Sequence, residues 1–143
     1  MPCITFPIEP IGPVLEIGLS KATSLLIPGE SPPLIVWAKA VADTGCTTTS
    51  IHTDLAVRAG LQVIGKTNVN STTHTVPVNV YLGNLYLKWT LLNGSVINMP
   101  FQDQQFIELM QCSDNHEALL GMNLMGMGHF TVNGLNKSAT FCW

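Results

Sequence analysis

The chain has 143 residues, of which 46% are hydrophobic and only 10% are charged, and its net charge is −3. These values fit one folded domain and exclude intrinsic disorder, and they leave no basic surface for binding nucleic acid. No apolar stretch approaches the ~18 residues of a membrane span, and the first ten residues lack the basic flank and apolar core of a signal peptide. We therefore expect a soluble, cytoplasmic protein with no membrane partner.

The N-terminal part of the sequence predicts two strands and a short helix. The segments from Gly12 to Leu26 and from Leu34 to Ala42 are rich in aliphatic residues, and the loop between them holds three prolines and cannot pair. A helix is predicted from Thr53 to Ala59, where Thr53 suits the N-cap and Gly60 suits the position after the last turn.

The middle of the sequence, from Thr75 to Phe101, predicts a β-meander. Apolar residues alternate from Val76 to Leu82 and again from Leu85 to Leu91, which is the period of a half-buried strand. Gly83-Asn84 and Asn93-Gly94 interrupt the pattern, and Asn-Gly is a strong signal for a tight hairpin turn because both central positions favour positive φ. A third short strand then follows from Ser95.

The C-terminal part predicts one more hairpin and a second short helix. Phe130 to Asn133 and Ser138 to Trp143 flank an Asn-Gly pair, and a helix is expected to begin near Gly121 or Met122. The sequence as a whole therefore predicts a mainly β domain, a barrel or a sandwich, with one or two short helices.

The cysteines and histidines predict neither a disulfide framework nor a metal site. Cys3, Cys46, Cys112 and Cys142 are scattered without a C-x-x-C spacing, so free buried thiols are the favoured interpretation. Cys112 and His116 are two candidate metal ligands close together in the sequence, but the two further ligands that a zinc site needs are not evident beside them. We expect no metal and no organic cofactor.

Asp43 is the candidate for chemistry. It ends an apolar segment, where an ionised carboxylate must be compensated by hydrogen-bond donors, and the following Thr44-Gly-Cys-Thr-Thr-Thr-Ser50 supplies a flexible glycine and five hydroxyl groups. A half-buried carboxylate in such a turn suits general acid–base catalysis. The alternative is an aspartate that only stabilises its turn.

The context of Asp43 resembles that of the retropepsin-like aspartic proteases, the single-domain family that includes the retroviral proteases and small bacterial relatives. The resemblance rests on Val41-Ala-Asp-Thr-Gly45, on Ala59-Gly-Leu61 after the helix, and on Leu119-Leu-Gly-Met-Asn-Leu124 further along. The resemblance covers the chain from about Gly12 to the C-terminus. We therefore expect residues 1–143 to form one domain, with its core from about residue 12.

The resemblance implies a closed β-barrel with a flap hairpin over a cleft, acting as a homodimer in which each subunit donates one aspartate. Asp43 matches the catalytic position, Thr44 the residue whose hydroxyl braces the two active-site loops, and Gly45 the glycine that permits the loop. Gly121 and Asn123 match the Gly-x-Asn/Asp element that supports the loop.

The sequence also departs from the family pattern. Cys46 stands where Ala or Ser is usual, Met122 replaces an Arg common in the retroviral enzymes, and Thr47 replaces an Asp that pairs with that Arg. Both members of the pair are therefore missing, and no single charge is left buried. The flap tip is predicted within the glycine-free segment Asn70, Ser71, Thr72, Thr73 and His74, where His74 is more simply a solvated loop residue than a pH-sensitive group.

A single Asp-Thr-Gly triplet in a chain of this length leads us to expect a homodimer, because two adjacent carboxylates are needed to activate water and protonate a carbonyl oxygen. The expected function is an aspartic endopeptidase acting on an extended peptide or protein substrate. One alternative is a non-catalytic dimerisation or peptide-binding module with the same fold, and another is an unrelated β domain with an accidental triplet.

Overall fold

The computed structural model describes residues 1–70, 73–111 and 116–143. This part of the chain is mainly β, which confirms the predicted class, and its elements are ten strands, two short α-helices and one 3₁₀-helix at Thr23–Leu25. The strands are β1 Cys3–Glu9, β2 Gly12–Lys21, β3 Val36–Ala42, β4 Ser50–His52, β5 Gln62–Asn70, β6 Thr75–Thr90, β7 Val96–Leu109, β8 Ala118–Leu120, β9 His129–Asn133 and β10 Ser138–Cys142. The helices are α1 Thr53–Arg58 and α2 Met122–Met125.

Six of the strands close into a barrel. Their order is β6, β7, β4, β8, β3 and β2, and the barrel closes because β2 also pairs with β6, from Ile17↔Leu87 to Lys21↔Gly83. Strand β5 extends this sheet beyond β6, as the outer strand of a long hairpin. Inside the barrel, large side chains are buried to 1% exposure or less, among them Ile17, Leu19, Leu85, Leu87 and Phe106. The expected closed β-barrel is therefore confirmed.

Strand β6 differs from the predicted meander. Gly83-Asn84 does not turn the chain but forms a bulge, at which the pairing of β6 with β7 shifts register. The buried Asn84 side chain accepts hydrogen bonds from the backbone N–H groups of Thr23 and Asp103, at 3.2 and 3.0 Å. Those bonds connect the bulge to the segment after β2 and to β7, so Gly83-Asn84 is accommodated within β6 as a bulge and not between two strands as a turn.

The other predicted turns and helices are confirmed, with changes of detail. The Asn93-Gly94 pair lies in the β6–β7 turn, where Gly94 has φ +83° and Asn93 does not have positive φ. Helix α1 is capped by His52, whose Nδ1 accepts from the Asp54 N–H at 3.4 Å, and not by Thr53 as predicted. Gly60 follows the helix with φ +67°, as its position suggested.

A small terminal sheet joins the two ends of the chain and corrects the prediction of free thiols. Strand β1 pairs with β10, and β10 pairs with β9 in the predicted C-terminal hairpin. Cys3 lies opposite Cys142, and the two form a disulfide across a sequence separation of 139 residues. Sequence spacing could not reveal this pair because tertiary folding alone brings the ends together. Cys46 is a free thiol, as predicted, and Cys112 lies outside the described residues.

Candidate active site

Asp43 lies where β3 ends and its loop begins. Strand β3 runs parallel to β8, and the Asp43 N–H donates to the Leu120 carbonyl at 3.0 Å, which fixes the end of the strand. The carboxylate is half-buried and accepts two hydrogen bonds, from the Gly45 N–H to Oδ1 at 2.8 Å and from the Cys46 Sγ to Oδ2 at 3.4 Å. Thr44 and Gly45 are exposed on the outer side of the turn.

The donors to Asp43 are thus a backbone amide and a thiol. The sequence had suggested that hydroxyl groups of the following run would also donate to this carboxylate, but among the described residues none does. Thr49 instead turns towards the segment after β8, and the Ser50 hydroxyl donates to the Thr48 carbonyl at 3.3 Å. The physical reason is that the hydroxyl groups of Thr49 and Ser50 are bonded to other partners, the Asn123 side chain and the Thr48 carbonyl, where the loop enters β4.

The Asp43 loop is fixed against the segment that begins α2. The Met122 N–H donates to the Cys46 carbonyl at 2.8 Å, and the Asn123 N–H donates to the Thr47 carbonyl at 3.0 Å. Gly121 permits this close approach, because a Cβ there would lie 2.6 Å from the backbone carbon of Thr48. The two motifs are therefore in direct contact, and the glycine is required by space.

Asn123 and Thr49 complete this contact. Asn123 Oδ1 accepts from both the N–H and the hydroxyl of Thr49, at 2.8 and 2.9 Å, and the Thr49 Oγ1 accepts from the Gly121 N–H at 3.0 Å. Thr49 is fully buried, so each of these groups depends on the other for its hydrogen bonds. Asn123 and Gly121 can be identified from the sequence, whereas Thr49 cannot, because its only signal is its place in a run of hydroxyl residues.

We expect Asn123→Ala to lower the free energy of unfolding by about 2 kcal/mol, because it leaves the buried Thr49 N–H and hydroxyl without their acceptor. Chemical denaturation monitored by circular dichroism measures the effect. Asn98→Ala, at an exposed position of β7, is the matched control and should change stability by less than about 0.5 kcal/mol. Equal stability of the two variants would contradict the supporting role of Asn123.

Cys46 holds its proton towards Asp43. Desolvation, together with the hydrogen bond to Asp43 and its negative charge, raises the pKa of the Cys46 thiol to about 11. The thiol is therefore a neutral donor throughout the acid and neutral range. Because the folded-state pKa lies above the ordinary value of 9.0, the resulting stability is complete below that pH and is lost as the pH rises through about 11.

We expect Cys46 to react with iodoacetamide at pH 8 about a hundredfold more slowly than an exposed thiol of ordinary pKa, since the thiolate is the nucleophile. Mass spectrometry of alkylated protein in a Cys112→Ser background measures the rate at this thiol. Adding Asp43→Asn removes the neighbouring charge and should accelerate labelling. Alkylation at the rate of an exposed thiol would show that the thiol–carboxylate contact does not form.

A cleft of about 980 Å³ lies beside the Asp43 loop. One side is formed by that loop from Gly45 to Thr48, another by the β5–β6 hairpin, and the third by the end of β7. Asp43 does not itself line the cleft, but Gly45 and Cys46, which donate to its carboxylate, do. The lining from the hairpin and from β7 comprises Thr67, Asn68, Val69, Asn70, Val76, Val78, Val80, Gln105, Ile107, Glu108, Leu109, Met110 and Gln111.

The predicted flap segment lies at the end of the β5–β6 hairpin. Asn70 pairs with Thr75 as the last described pair, and the Thr75 hydroxyl donates to Asn70 Oδ1 at 2.9 Å. Asn70 lines the cleft, while Thr73 and His74 are exposed, with the Thr73 hydroxyl 2.8 Å from His74 Nδ1. Ser71 and Thr72, which were also predicted to belong to the tip, lie outside the described residues.

Neither a metal site nor a membrane-spanning helix emerges from the described residues. In residues 1–70, 73–111 and 116–143, no three His, Cys, Asp or Glu side chains are grouped so that they could hold a metal ion. In the same ranges, neither helix has the length and apolar character needed to cross a membrane.

The sequence matches no known protein-family profile and no curated protein. The fold does match a solved structure. A retropepsin-like aspartic protease from Rickettsia conorii superposes over 97% of this chain and 89% of its own, with a TM-score of 0.56 at 14% sequence identity. The chain has the retropepsin-like fold. A lesser likeness, with a TM-score of 0.42 and 14% identity, covers 90% of this chain and 87% of the retroviral protease-like domain of Ddi1 from Leishmania major.

The likeness to the Rickettsia protein shows the fold alone, because the identity is low. Within this retropepsin-like fold, the contact between the Asp43 loop and the Gly121–Asn123 segment, the hydrogen-bonded Asp43 carboxylate and the adjoining cleft are features of this chain's own residues.

Proposed function

We propose that this protein is an aspartic endopeptidase in which Asp43 of two identical subunits forms the catalytic dyad. The observation that carries the proposal is the Asp43 carboxylate itself: half-buried, held by the Gly45 N–H and the Cys46 thiol, and placed beside a large cleft. Both donors are neutral, so they orient the carboxylate without pairing it with a positive charge.

Peptide hydrolysis by this route needs two carboxylates that share one proton. The ionised one takes a proton from water as the water attacks the peptide carbonyl, and the protonated one donates to the carbonyl oxygen. Asp54 is exposed on α1, and Asp103 binds the N–H and hydroxyl of Ser24, so neither can supply the second carboxylate next to Asp43. Asp114 lies outside the described residues. A second copy of the chain provides the missing group by symmetry.

The exposed turn at Thr44 and Gly45 suits an interface on a two-fold axis. In this arrangement the Thr44 hydroxyl connects the turns of the two subunits across the axis, while Gly121 and Asn123 of each subunit support its own turn. Cys46 takes the place of a smaller residue and donates to the carboxylate. In such a dyad the two aspartates share one proton, because two adjacent carboxylates repel each other when both are charged.

The cleft suits an extended peptide. Its walls combine aliphatic side chains of β6 and β7 with the polar residues Thr67, Asn68 and Asn70 of the hairpin, so a bound segment could add as a strand while its apolar side chains are buried. Asn70, Thr73 and His74 belong to the proposed flap, and Ser71 and Thr72, which complete its predicted tip, lie outside the described residues. We therefore expect the substrates to be peptides with hydrophobic residues around the scissile bond.

Activity measured against protein concentration tests the dyad. We expect cleavage of a mixed peptide library between pH 3 and pH 7, a fall in specific activity on dilution as dimers dissociate, and inhibition by a statine-type transition-state mimic. Sedimentation analysis should show that the mimic shifts the chain towards the dimer. Peptide binding and dimer formation without cleavage at any pH would instead support the non-catalytic module.

A further inference from the structure

Glu108 is the one charged residue in the lining of the cleft within the described part of the chain. It lies near the end of β7, opposite Ile51 of β4 and one residue after Ile107, which pairs with Val80 of β6. It therefore lies where β7 leaves β6 and joins β4. The other described lining residues are neutral, so Glu108 is the one charged side chain that a bound segment would meet on the described walls of the cleft.

The carboxylate of Glu108 is fixed by two neutral donors. Oε1 accepts from the Thr53 hydroxyl at 2.7 Å, and Oε2 accepts from the Asn79 N–H at 3.0 Å. These bonds, that of the Asn79 N–H first, lower the pKa of Glu108 below its ordinary value, against a smaller effect of burial. The group therefore remains ionised in the mildly acid conditions in which an aspartate dyad works.

The nearby cations do not neutralise Glu108 by contact. Lys66 on β5 and His52 before α1 both stabilise its negative charge from a distance, but among the described residues neither forms an ion pair with it. His52 lies instead 4.0 Å from Asp54, and Arg58 of α1 is paired with Glu117. A single oriented negative charge thus remains on an otherwise neutral cleft wall.

We propose that Glu108 makes the cleft selective for extended peptides that carry a Lys or Arg side chain at one position, with uncharged residues at the others. This inference rests on the proposed function, which makes the cleft the peptide site. A cationic side chain at that register forms a charge-assisted hydrogen bond with the carboxylate, whereas an acidic side chain is repelled and a neutral one leaves the charge unpaired. The cleft then discriminates by charge as well as by shape.

The test uses pairs of short peptides that are otherwise uncharged. One peptide of each pair carries a Lys and the other carries norleucine at the same position, and this position is shifted along the peptide from pair to pair. The two side chains share a similar stem, so the pair isolates the charge. We expect the parent protein to favour the Lys peptide about tenfold in kcat/KM at one register. Glu108→Gln should bring the ratio of kcat/KM for the two peptides to about one, because the amide carries no charge but retains polar partners for Asn79 and Thr53.

Glu16→Gln is the matched control, since Glu16 is paired with Lys88 outside this cleft. It should retain the preference of the parent for Lys. Equal preference of the parent for both peptides, or an equal loss on both in Glu108→Gln, would overturn the proposal, the latter because it indicates a purely structural role.

Binding measurements separate this proposal from the protease itself. Fluorescence anisotropy with the same labelled peptides on Asp43→Asn protein reports selectivity without hydrolysis. If the Asp43→Asn protein binds the Lys peptide more tightly than the norleucine peptide, and the Asp43→Asn, Glu108→Gln double variant binds both equally, the role of Glu108 is supported even if the parent cleaves nothing. Absence of binding, or equal binding of both peptides, would overturn it.

Discussion

Replacing Asp43 by Asn is expected to reduce peptide hydrolysis by at least about a thousandfold, because the change removes both carboxylates of the symmetric dyad at once. The amide retains an oxygen that can accept from the Gly45 N–H, so the loop should keep its shape. Initial rates with a fluorogenic peptide, recorded beside thermal melts of both proteins, measure the loss at matched stability.

Asp54→Asn is the matched control for this experiment. Its carboxylate is on α1 with 84% of its side chain exposed, and the same change of charge there should leave the rate unchanged. A parent protein that cleaves peptides, beside an Asp43→Asn protein that cleaves them equally fast, would rule out the aspartate mechanism.

Breaking the Cys3–Cys142 disulfide is expected to produce the largest change in stability. The bridge closes a loop with a sequence separation of 139 residues. In the chain-entropy account such a loop contributes about 5 kcal/mol by restricting the unfolded chain. For a domain of this size, even part of that contribution lowers Tm by about 10 °C. Calorimetry of the Cys3→Ser, Cys142→Ser double variant at fixed protein concentration measures the shift.

The control is the effect of a reducing agent. Dithiothreitol should lower Tm of the parent to that of the double variant, and it should leave the double variant itself unchanged. Titration of free thiols under denaturing conditions should find two more in the reduced parent than in the oxidised one. Identical melting of parent and double variant would show that the bridge contributes nothing.

Local sequence patterns predicted much of the barrel because each strand carries its own signal. A continuous apolar segment predicted β3, alternating apolar residues predicted most of β6, and Gly60 marked the end of α1. The Asp43 loop and the Gly121–Asn123 segment could also be identified from the sequence, because their motifs occur in the order and at the spacing that are typical of retropepsin-like proteases. That they are in contact is a finding of the structure, through the hydrogen bonds of Thr49.

The features that sequence reasoning missed depend on long-range contacts. Gly83-Asn84 has the composition of a turn, and only the partners of the Asn84 side chain, Thr23 and Asp103, make it a bulge. Glu108 is one acidic residue in a strand, and only the fold shows that the other described residues of the cleft lining are neutral. The pairing of Cys3 with Cys142 requires the complete fold, because nothing near either residue indicates the other.

The bridge between the ends of the chain also has a consequence for proteolytic damage. A single cut anywhere between residues 3 and 142 leaves both fragments on one covalent molecule, still joined at the terminal sheet. After a cut in an exposed loop, the two fragments can therefore refold together without first having to associate from solution. For a protein proposed to hydrolyse peptides, this linkage provides tolerance to its own action.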